Sequence, residues 1–326
     1  MQCYVGVDVS KAKLDIAMLL AHDKYRSKVV ANDPSGLALL LQWLKTHAPC
    51  ELDQVHMCME STGGYHEALA CALSDHGVCV SIVNPLRVKR FAQASGQRNK
   101  TDEADAKTLA VFCRGQRPER WQAPSLGVRT LQALVARLQT LQAMRQAESN
   151  RLELAHEAVA ASLRGMIAGL DEEIERVREQ IRRTIDDDPD LKTRADLLQT
   201  IPGLGDKTIP QLLAYVGDPQ RFGSAKALAA YASLTPLIQQ SGTSLDRRRG
   251  THPMGHRDLK RALYFPAMVA ARYNPLVARF SERLKAQHKP GKLVVVACMH
   301  KLLAIVYGVL KSGQPFNSHP LGSSGA

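Results

Sequence analysis

Residues 126 to 186 constrain the architecture more than any other part of the sequence. They contain two charged segments in which apolar residues recur at helical spacing and no cluster of turn-forming residues interrupts the pattern. These segments are LQALVARLQTLQAMRQAESNRLELA and MIAGLDEEIERVREQIRRTI. A break falls in AHEAVAASLRG, and DDDPD ends the second arm. The pattern predicts a helical hairpin or coiled coil. An apolar seam on such arms favours self-association over a plain spacer between domains.

The segments on either side of this region differ in character. Before it, strand-like and helix-like segments alternate in the order βββαβαβα, which is typical of a mixed α/β domain. After it the chain is mainly helical, and the apolar segment KLVVVACMHKLLAIVYGVL is expected to close a second core. We therefore expect an α/β domain at residues 1–120, a helical hairpin at 121–194 and a mainly α-helical domain at 195–326.

Charge and cysteine content narrow the classes of function. The chain has 43 Lys plus Arg against 31 Asp plus Glu, and this net charge of +12 favours a polyanionic partner over an acidic small substrate. Its seven cysteines include no C-x-x-C pair, so neither a disulfide framework nor a zinc site is indicated. We expect a cytoplasmic protein with no targeting segment and no membrane span, because no stretch approaches 18 uninterrupted apolar residues.

Two acids stand in otherwise apolar strand segments. Asp8 lies in VGVDV and Glu60 ends VHMCME. An unpaired buried carboxylate is strongly unfavourable, so each acid needs a hydrogen-bonded partner, access to solvent or a cation. In a βββαβαβ sheet both positions can be neighbours at the centre.

A second pair of acids opens a helical pattern in KTDEADAKTLA. Asp102 and Asp105 are three residues apart and therefore share one helix face. Helix capping and a Glu103–Lys107 pair explain such a first turn by themselves, but they do not explain the strand acids. Four converging carboxylates would raise one another's pKa unless divalent cations neutralised them, and oxygen ligands select Mg²⁺ or Mn²⁺. Capping and metal binding are compatible with each other.

Several motifs together resemble a known family. VGVDVSKAKLDIAM, ESTGGYHEALACAL and NPLRVKRFAQASGQRNKTDEADAKTLAVF are similar to the N-terminal RuvC-like (RNase H-like) domain of the DEDD transposases of the insertion-sequence one-ten family, relatives of the Piv and MooV DNA invertases. FGSAKALAAYASLTPLIQQSGTS and the segments after it resemble that family's C-terminal domain. The resemblance implies a transposase or site-specific DNA recombinase whose catalytic metal ligands are Asp8, Glu60, Asp102 and Asp105.

The same resemblance assigns a nucleophile. It implies that Ser241, in QQSGTS, forms a covalent link to DNA, although Ser-Gly alone indicates no more than a turn. A serine hydroxyl needs a base or a metal ion nearby, so the ions held by the acids would complete a composite site. Thr243 and Ser244 are rival hydroxyls, for which we expect turn bonding.

Basic residues follow the serine. Arg247, Arg248, Arg249, Arg257, Lys260 and Arg261 are expected to bind nucleic acid through phosphate contacts, and the alternative is a solvated basic face. His252 and His256 are expected at the surface or on phosphate. IPGLG indicates either the first part of a phosphate-binding helix-hairpin-helix or an ordinary helix–helix turn.

The resemblance also implies partners. They are donor and target DNA, a structured noncoding guide RNA (bridge RNA) encoded by the same element, and further copies of the chain, as a tetramer built from a pair of dimers in the bacterial cytoplasm at the nucleoid. Three other functions stay open. They are a RuvC-like junction nuclease that uses water, a noncatalytic nucleic-acid-binding protein, and an actin-like ATPase, against which the lack of a second phosphate loop argues.

Overall fold

The computed structural model describes residues 3–61, 64–95, 101–241, 245–251 and 255–318, with the backbone alone for 236–241 and 245–251. The chain divides into two compact units, Met1–Ala123 and Pro124–Ala326. The helical hairpin belongs to the second unit. The finer division into three domains at residues 120 and 194 stays a prediction.

The first unit has the predicted order of three strands followed by alternating helices and strands. Its elements are β1 (Cys3–Val9), β2 (Lys13–Leu19), β3 (Tyr25–Ala31), α1 (Pro34–His47), β4 (Val55–Glu60), α2 (Tyr65–Asp75), β5 (Cys79–Val83), α3 (Pro85–Ala94) and α4 (Asp102–Gln116). The strands form one mixed sheet in the order β3-β2-β1-β4-β5. β1 is central, antiparallel to β2 and parallel to β4.

The central strands are apolar because both faces of the sheet are covered. Val5 and Val7 of β1 and Met57 and Met59 of β4 are fully buried. Polar side chains enter only where these strands approach their ends. The carboxylates of the central strands, Asp8 and Glu60, therefore lie at the carboxyl-terminal ends of these strands.

Helix α4 lies directly on β1 at Gly6. A Cβ at this position would stand 2.0 Å from the carbonyl oxygen of Ala106 and 2.4 Å from the amide nitrogen of Ala110. Only glycine permits this close approach of helix and strand backbones. Since Gly6 and Asp8 are two residues apart and share a face of the sheet, this contact also brings the helix to the face that carries Asp8.

The second unit is mostly helical. Its elements are α5 (Leu126–Glu153), α6 (Glu157–Asp186), α7 (Pro189–Gln199), α8 (Ile209–Val216), α9 (Ala225–Tyr231), β6 (Pro236–Ser241), β7 (Leu245–Thr251), α10 (Arg257–Tyr273), α11 (Pro275–Ala286) and α12 (Gly291–Ser312). Helix α6 runs back along α5, and Arg145 Nε lies 2.9 Å from Asp171 Oδ1 across the pair. This is the predicted helical hairpin, with its break between residues 153 and 157. Its coiled-coil character stays a prediction.

A two-stranded antiparallel sheet interrupts the helices of this unit. β6 pairs with β7, and the register joins Ser241 to Leu245 and Gln239 to Arg247. Our interpretation of this region as mainly helical did not identify these strands. The signal was present, since PLIQQ and LDRRR flank the turn-forming residues Ser-Gly-Thr-Ser.

The turn of IPGLG packs against a helix. Gly203 has φ +105°, a conformation that favours glycine, and a Cβ there would stand 2.7 Å from the Cβ of Ala270 on α10. This glycine therefore serves close packing between the α7–α8 turn and α10. A phosphate contact of the neighbouring amides stays a prediction.

The apolar helix α12 occupies the core of the second unit. Its length and composition would allow it to cross a membrane, and half of its most apolar 18-residue stretch is buried inside the protein. Leu302, Leu303 and Val306 are fully buried against neighbouring helices that include α9, α10 and α11. The expectation that this segment closes a second core is confirmed.

Candidate active site

Asp8 and Glu60 come from adjacent parallel strands. The register of β1 and β4 ends with Val7 opposite Met59, and the next residue on each strand is the acid. Both side chains are half-buried. The backbone positions of the two strand acids are thus neighbours at the centre of the sheet, as the sequence predicted.

The first turn of α4 supplies the other two acids. The side chain of Thr101 caps this helix by accepting a hydrogen bond of 3.2 Å from the amide of Ala104. Asp102 and Asp105 therefore stand inside the first turn and are not the N-cap. The expected ion pair in this turn is present, with Lys107 Nζ 2.7 Å from Glu103 Oε1.

Asp8 and the two aspartates in the first turn of α4 interact electrostatically. Burial is the largest cause that raises the pKa of Asp8 above its ordinary 3.8. The negative charges of Asp102, Asp105 and Asp15 raise this pKa further. Lys13 acts in the opposite direction. Carboxylates that disfavour one another's charge in this way are a setting in which a cation is stabilising.

Two residues of this region were missed in the sequence, Asp15 and Lys13. Asp15 pairs with Asp8 across β1 and β2 and is only 7% exposed. The Nζ of Lys13 lies 3.0 Å from Asp15 Oδ2 and 2.8 Å from Asp102 Oδ2. These contacts, first with Asp102 and then with Asp15, raise the pKa of Lys13. An acid in the apolar strand KLDIAML was the available signal, of the same kind that singled out Asp8.

The donor set fits a hard divalent cation, because every donor is a carboxylate oxygen. As they stand, the residues that the structure describes include no group of three or more His, Cys, Asp or Glu side chains that could hold an ion. An ammonium group, that of Lys13, instead stands between two of the acids. The amino acid chemistry thus suits Mg²⁺ or Mn²⁺, and the half-exposed ammonium group of Lys13 contacts two of the acids, Asp15 and Asp102.

Ser241 is the last residue of β6, at the turn end of the β6–β7 pair. Arg247, Arg248 and Arg249 lie along β7, opposite residues 239, 238 and 237 in that order. The side chains of these four residues lie outside the described part of the structure, as do Thr243, Ser244 and His252 entirely. The serine and the three arginines therefore belong to one hairpin.

The two ends of the segment that carries this hairpin are tied together. The amide of His256 donates a hydrogen bond of 2.7 Å to the carbonyl of Tyr231. Gly255 lies so close to Ser233 that a Cβ there would stand 2.2 Å from the Ser233 Oγ. The chain segments before and after the hairpin therefore lie side by side, with Tyr231 and Ser233 next to His256 and Gly255.

His256 has a structural role that the sequence did not indicate. Its Nδ1 accepts a hydrogen bond of 3.2 Å from the amide of Leu259, which caps α10. Its ring lies 4.4 Å from that of Tyr215 and 5.6 Å from that of Tyr231, measured between centroids. His256 is half-buried, so packing on the tyrosines and capping α10 add a structural role, and the expected surface or phosphate-contacting role stays a prediction.

The predicted basic residues of α10 lie in its first two turns. Arg257 and Arg261 are exposed, and Lys260 is half-buried. The nearest acid to Arg261 is Asp258, at 3.9 Å, and the arginine side chain is 86% exposed. Farther along this helix Phe265 is 72% exposed and Tyr273 69% exposed. One face of α10 therefore presents arginines and aromatic rings to solvent.

Comparisons with known proteins agree across the whole chain. The DEDD transposase model of IS110 matches residues 5–155, and the model of the IS116/IS110/IS902 transposase family matches residues 195–282. The pilin gene-inverting protein of Moraxella bovis is 35% identical over 316 residues, which cover 96% of this chain and 97% of the relative. Its counterpart in Moraxella lacunata is 34% identical over the same shares. The transposase of insertion sequence IS1328 from Yersinia enterocolitica is 26% identical, over 96% of this chain and 98% of the relative. The chain therefore belongs to the IS116/IS110/IS902 family of transposases.

Proposed function

We propose that this chain is a DNA recombinase that works as a transposase or as a site-specific invertase through a covalent serine–DNA intermediate. The carrying observation is geometric: the strand register places Asp8 and Glu60 at adjacent strand ends, and α4, whose first turn carries Asp102 and Asp105, packs on β1 at Gly6. The family supports DNA as the substrate, and two relatives are named for inverting a gene. A RuvC-like fold for the first unit is supported by its mixed five-stranded sheet.

The proposed metal ligands are Asp8, Glu60, Asp102 and Asp105. When bound, Mg²⁺ or Mn²⁺ would stabilise the negative charge that develops on the phosphate oxygens during phosphoryl transfer. The protein's own contribution is position. Asp8 and Glu60 are held by adjacent strands, and Asp102 and Asp105 by a helix that Gly6 allows to lie against β1.

The proposed nucleophile is the hydroxyl oxygen of Ser241. A bond forms between this oxygen and the phosphorus as the bond from phosphorus to the leaving sugar oxygen breaks. The serine gives up its proton, and the sugar oxygen gains one. One phosphodiester replaces another, so the bond energy is retained, and attack by a different sugar hydroxyl rejoins the strand without a further energy source. The position of Ser241 at the turn end of a hairpin and the resemblance of its motif support this role.

DNA contacts are proposed for Arg247, Arg248, Arg249, Arg257, Lys260 and Arg261. The exposed arginines of α10 support the assignment, because arginine contacts to phosphate supply most of the sequence-independent affinity for DNA. The exposed rings of Phe265 and Tyr273 are suited to stacking on unpaired bases. A guide RNA is the second proposed nucleic acid, and the net charge of +12 is compatible with both.

The proposed assembly is a tetramer built from two dimers. Its support lies at the tip of the α5–α6 hairpin, where Leu154 is 92% and Met166 60% exposed, and Met144 and Val159 are about half exposed. A group of exposed apolar side chains at one end of a hairpin is typical of an interaction surface. Coiled-coil pairing between hairpins is the proposed form of that contact.

The experiment that tests the function uses the full chain with donor DNA, target DNA, copurified RNA and Mg²⁺. Covalent protein–DNA adducts and recombinant joints are scored for the wild type, Ser241→Ala and Asp102→Asn. Ser244→Ala is the matched control. We expect both products to fall at least about a thousandfold in Ser241→Ala and to be unaffected in Ser244→Ala. A ribonuclease-treated sample tests the guide RNA, whose removal should abolish joints.

Other outcomes identify the rival functions. Cutting by Ser241→Ala at the wild-type rate, with no adduct in either protein, would show a nuclease that uses water. Full activity of Asp102→Asn would show that the carboxylates have no catalytic part.

A further inference from the structure

We propose that the ammonium group of Lys13 serves as the cation of the metal-free acid site, and that a divalent metal ion displaces it from Asp102 while Asp15 retains it. This inference rests on the proposed metal role of the four acids. It adds two residues, Lys13 and Asp15, that position the site without reacting with DNA.

The geometry places Lys13 between two elements. Lys13 is the first residue of β2, and its Nζ lies 3.0 Å from Asp15 Oδ2 and 2.8 Å from Asp102 Oδ2. Asp15 belongs to the same strand, whereas Asp102 is the first residue of α4. One ammonium group therefore connects the sheet with the helix start that carries two of the proposed metal ligands.

The two carboxylates that Lys13 contacts differ in burial. The side chain of Asp15 is 10% exposed, and that of Asp102 is 55% exposed. A buried carboxylate needs a positive partner, because it has lost most of its hydration. An ion pair as exposed as that of Asp102 is weak, since water competes with it. Although the Lys13 side chain is 46% exposed and its Nζ lies closer to Asp102, the buried carboxylate of Asp15 depends more on the ammonium group than the exposed carboxylate of Asp102 does.

This asymmetry makes displacement feasible. A divalent cation that binds Asp102 competes with Lys13 at an exposed ion pair, and the ammonium group keeps its partner on β2. Before the metal ion binds, the same ammonium group offsets the repulsion among Asp8, Asp102 and Asp105, which would otherwise push α4 away from the end of β1. Lys13 thus maintains the spacing of the acids and weakens metal binding at the same time.

The test measures Mn²⁺ binding to the full chain by calorimetry, without DNA, together with the melting temperature without metal. Lys13→Met removes the charge and keeps much of the length of the side chain. We expect Mn²⁺ to bind this variant about fivefold more tightly than the wild type, and the metal-free melting temperature to fall by about 2 °C. Lys11→Met is the matched control, which removes an exposed charge two residues away and should change the affinity by less than about twofold.

A charge-preserving variant separates charge from shape. Lys13→Arg should bind Mn²⁺ within about twofold of the wild type, since a cation still stands between the carboxylates. If Lys13→Arg binds as tightly as Lys13→Met, or if Lys13→Met binds no more tightly than the wild type, the inference is wrong.

The role of Asp15 is tested by a double variant. In Asp15→Asn the ammonium group loses its buried partner and keeps its contact with Asp102, so Mn²⁺ should bind more weakly than to the wild type, and adding Lys13→Met should restore tight binding. A double variant that still binds weakly would show that Asp15 is itself a metal ligand, which overturns the proposed role for it. A wild-type protein that binds no Mn²⁺, or whose binding survives Asp102→Asn, would overturn the proposed metal site and this inference together.

Discussion

The acids of the first unit and the serine hairpin of the second are held in different ways. The acids lie at the ends of a central strand pair and at the start of a helix whose backbone touches that sheet, so their positions follow from the packing of a core. The β6–β7 hairpin interrupts a helical unit. The segments at its two ends contact each other at Tyr231, Ser233, Gly255 and His256. A site built into a core is sensitive to the stability of its unit. A site on a hairpin that projects from a helical unit is sensitive to the contacts that fix the two ends of that hairpin.

The largest expected effect is that of Gly6→Ala. The added methyl would stand 2.0 Å from the Ala106 carbonyl, so α4 must move away from β1, and we expect a loss of about 3 kcal/mol in the free energy of unfolding. DNA cleavage should disappear with it, because Asp102 and Asp105 move with the helix. Urea unfolding and a cleavage assay measure the two effects.

Gly115→Ala is the control for this variant. Gly115 lies in the same helix with open space around it, so alanine should stabilise the protein by about 0.5–1 kcal/mol and preserve cleavage. Equal stability of Gly6→Ala and the wild type would show that the helix does not depend on the close contact.

Gly255→Ala should affect activity more than stability. The new Cβ would stand 2.2 Å from Ser233 Oγ and 2.7 Å from the Tyr231 carbonyl, which displaces the end of the hairpin. We expect about 1–2 kcal/mol of destabilisation, and about a hundredfold loss of adduct formation, because a nucleophile displaced by about 1 Å loses that much rate. Gly223→Ala, which has open space around it, is the control. If adduct formation fell no more in Gly255→Ala than in the control, the close contact of Gly255 with Ser233 and Tyr231 would not be needed for activity.

A smaller effect is expected for the arginines of α10. Arg261→Ala should weaken binding to all DNA sequences alike and reduce the slope of log K against log salt by about one, because one phosphate contact is lost. Fluorescence anisotropy at several salt concentrations measures both. Lys45→Ala removes one exposed charge from the first unit and should keep the wild-type slope. The same slope in both variants would exclude Arg261 as a phosphate contact.

The smallest effect concerns pH in the metal-free protein. Burial, followed by the charges of Asp102, Asp105 and Asp15, raises the pKa of Asp8 in the folded state above its ordinary 3.8. The folded protein then holds this proton more tightly than the unfolded chain does. The resulting stabilisation is fully present below pH 3.8 and is lost as the pH rises through the raised folded pKa. Urea unfolding over this pH range should show the loss in the wild type.

Asp8→Asn cannot titrate and should lack this loss, whereas Asp53→Asn, which removes an exposed carboxyl, should retain it. If the free energy of unfolding of Asp8→Asn depended on pH as in the wild type, Asp8 would not interact with the neighbouring acids in solution.

Local patterns in the sequence predicted most of the elements. The alternation of apolar strands and amphipathic helices gave the order of the first unit, and helical spacing gave the α5–α6 hairpin, because both patterns act over a few residues. The β6–β7 strands were missed because β7 contains three consecutive arginines, which do not alternate with apolar residues as in a half-buried strand.

Within the candidate site, the four acids stood out from their apolar or helical contexts. Asp15 shows the same signal, an acid in an apolar strand, but its part in the site and that of Lys13 depend on which strand pairs with β1 and in which register. Helix capping was considered for the aspartates, whereas Thr101 is the N-cap, and a shift of one residue is ordinary at helix ends.

The sequence by itself determined the family, the order of elements and the types of residue available for chemistry, since these follow from motifs and local periodicity. Tertiary structure decided which charges meet. Only the pairing of β1 with β2 and β4, together with the contact of α4 at Gly6, brings Asp8, Asp15, Lys13 and Asp102 into one field. The physical reason is that electrostatic interactions depend on the distance between charges in space. Residues about 90 positions apart in the chain come close enough to interact only when the helix packs on the sheet.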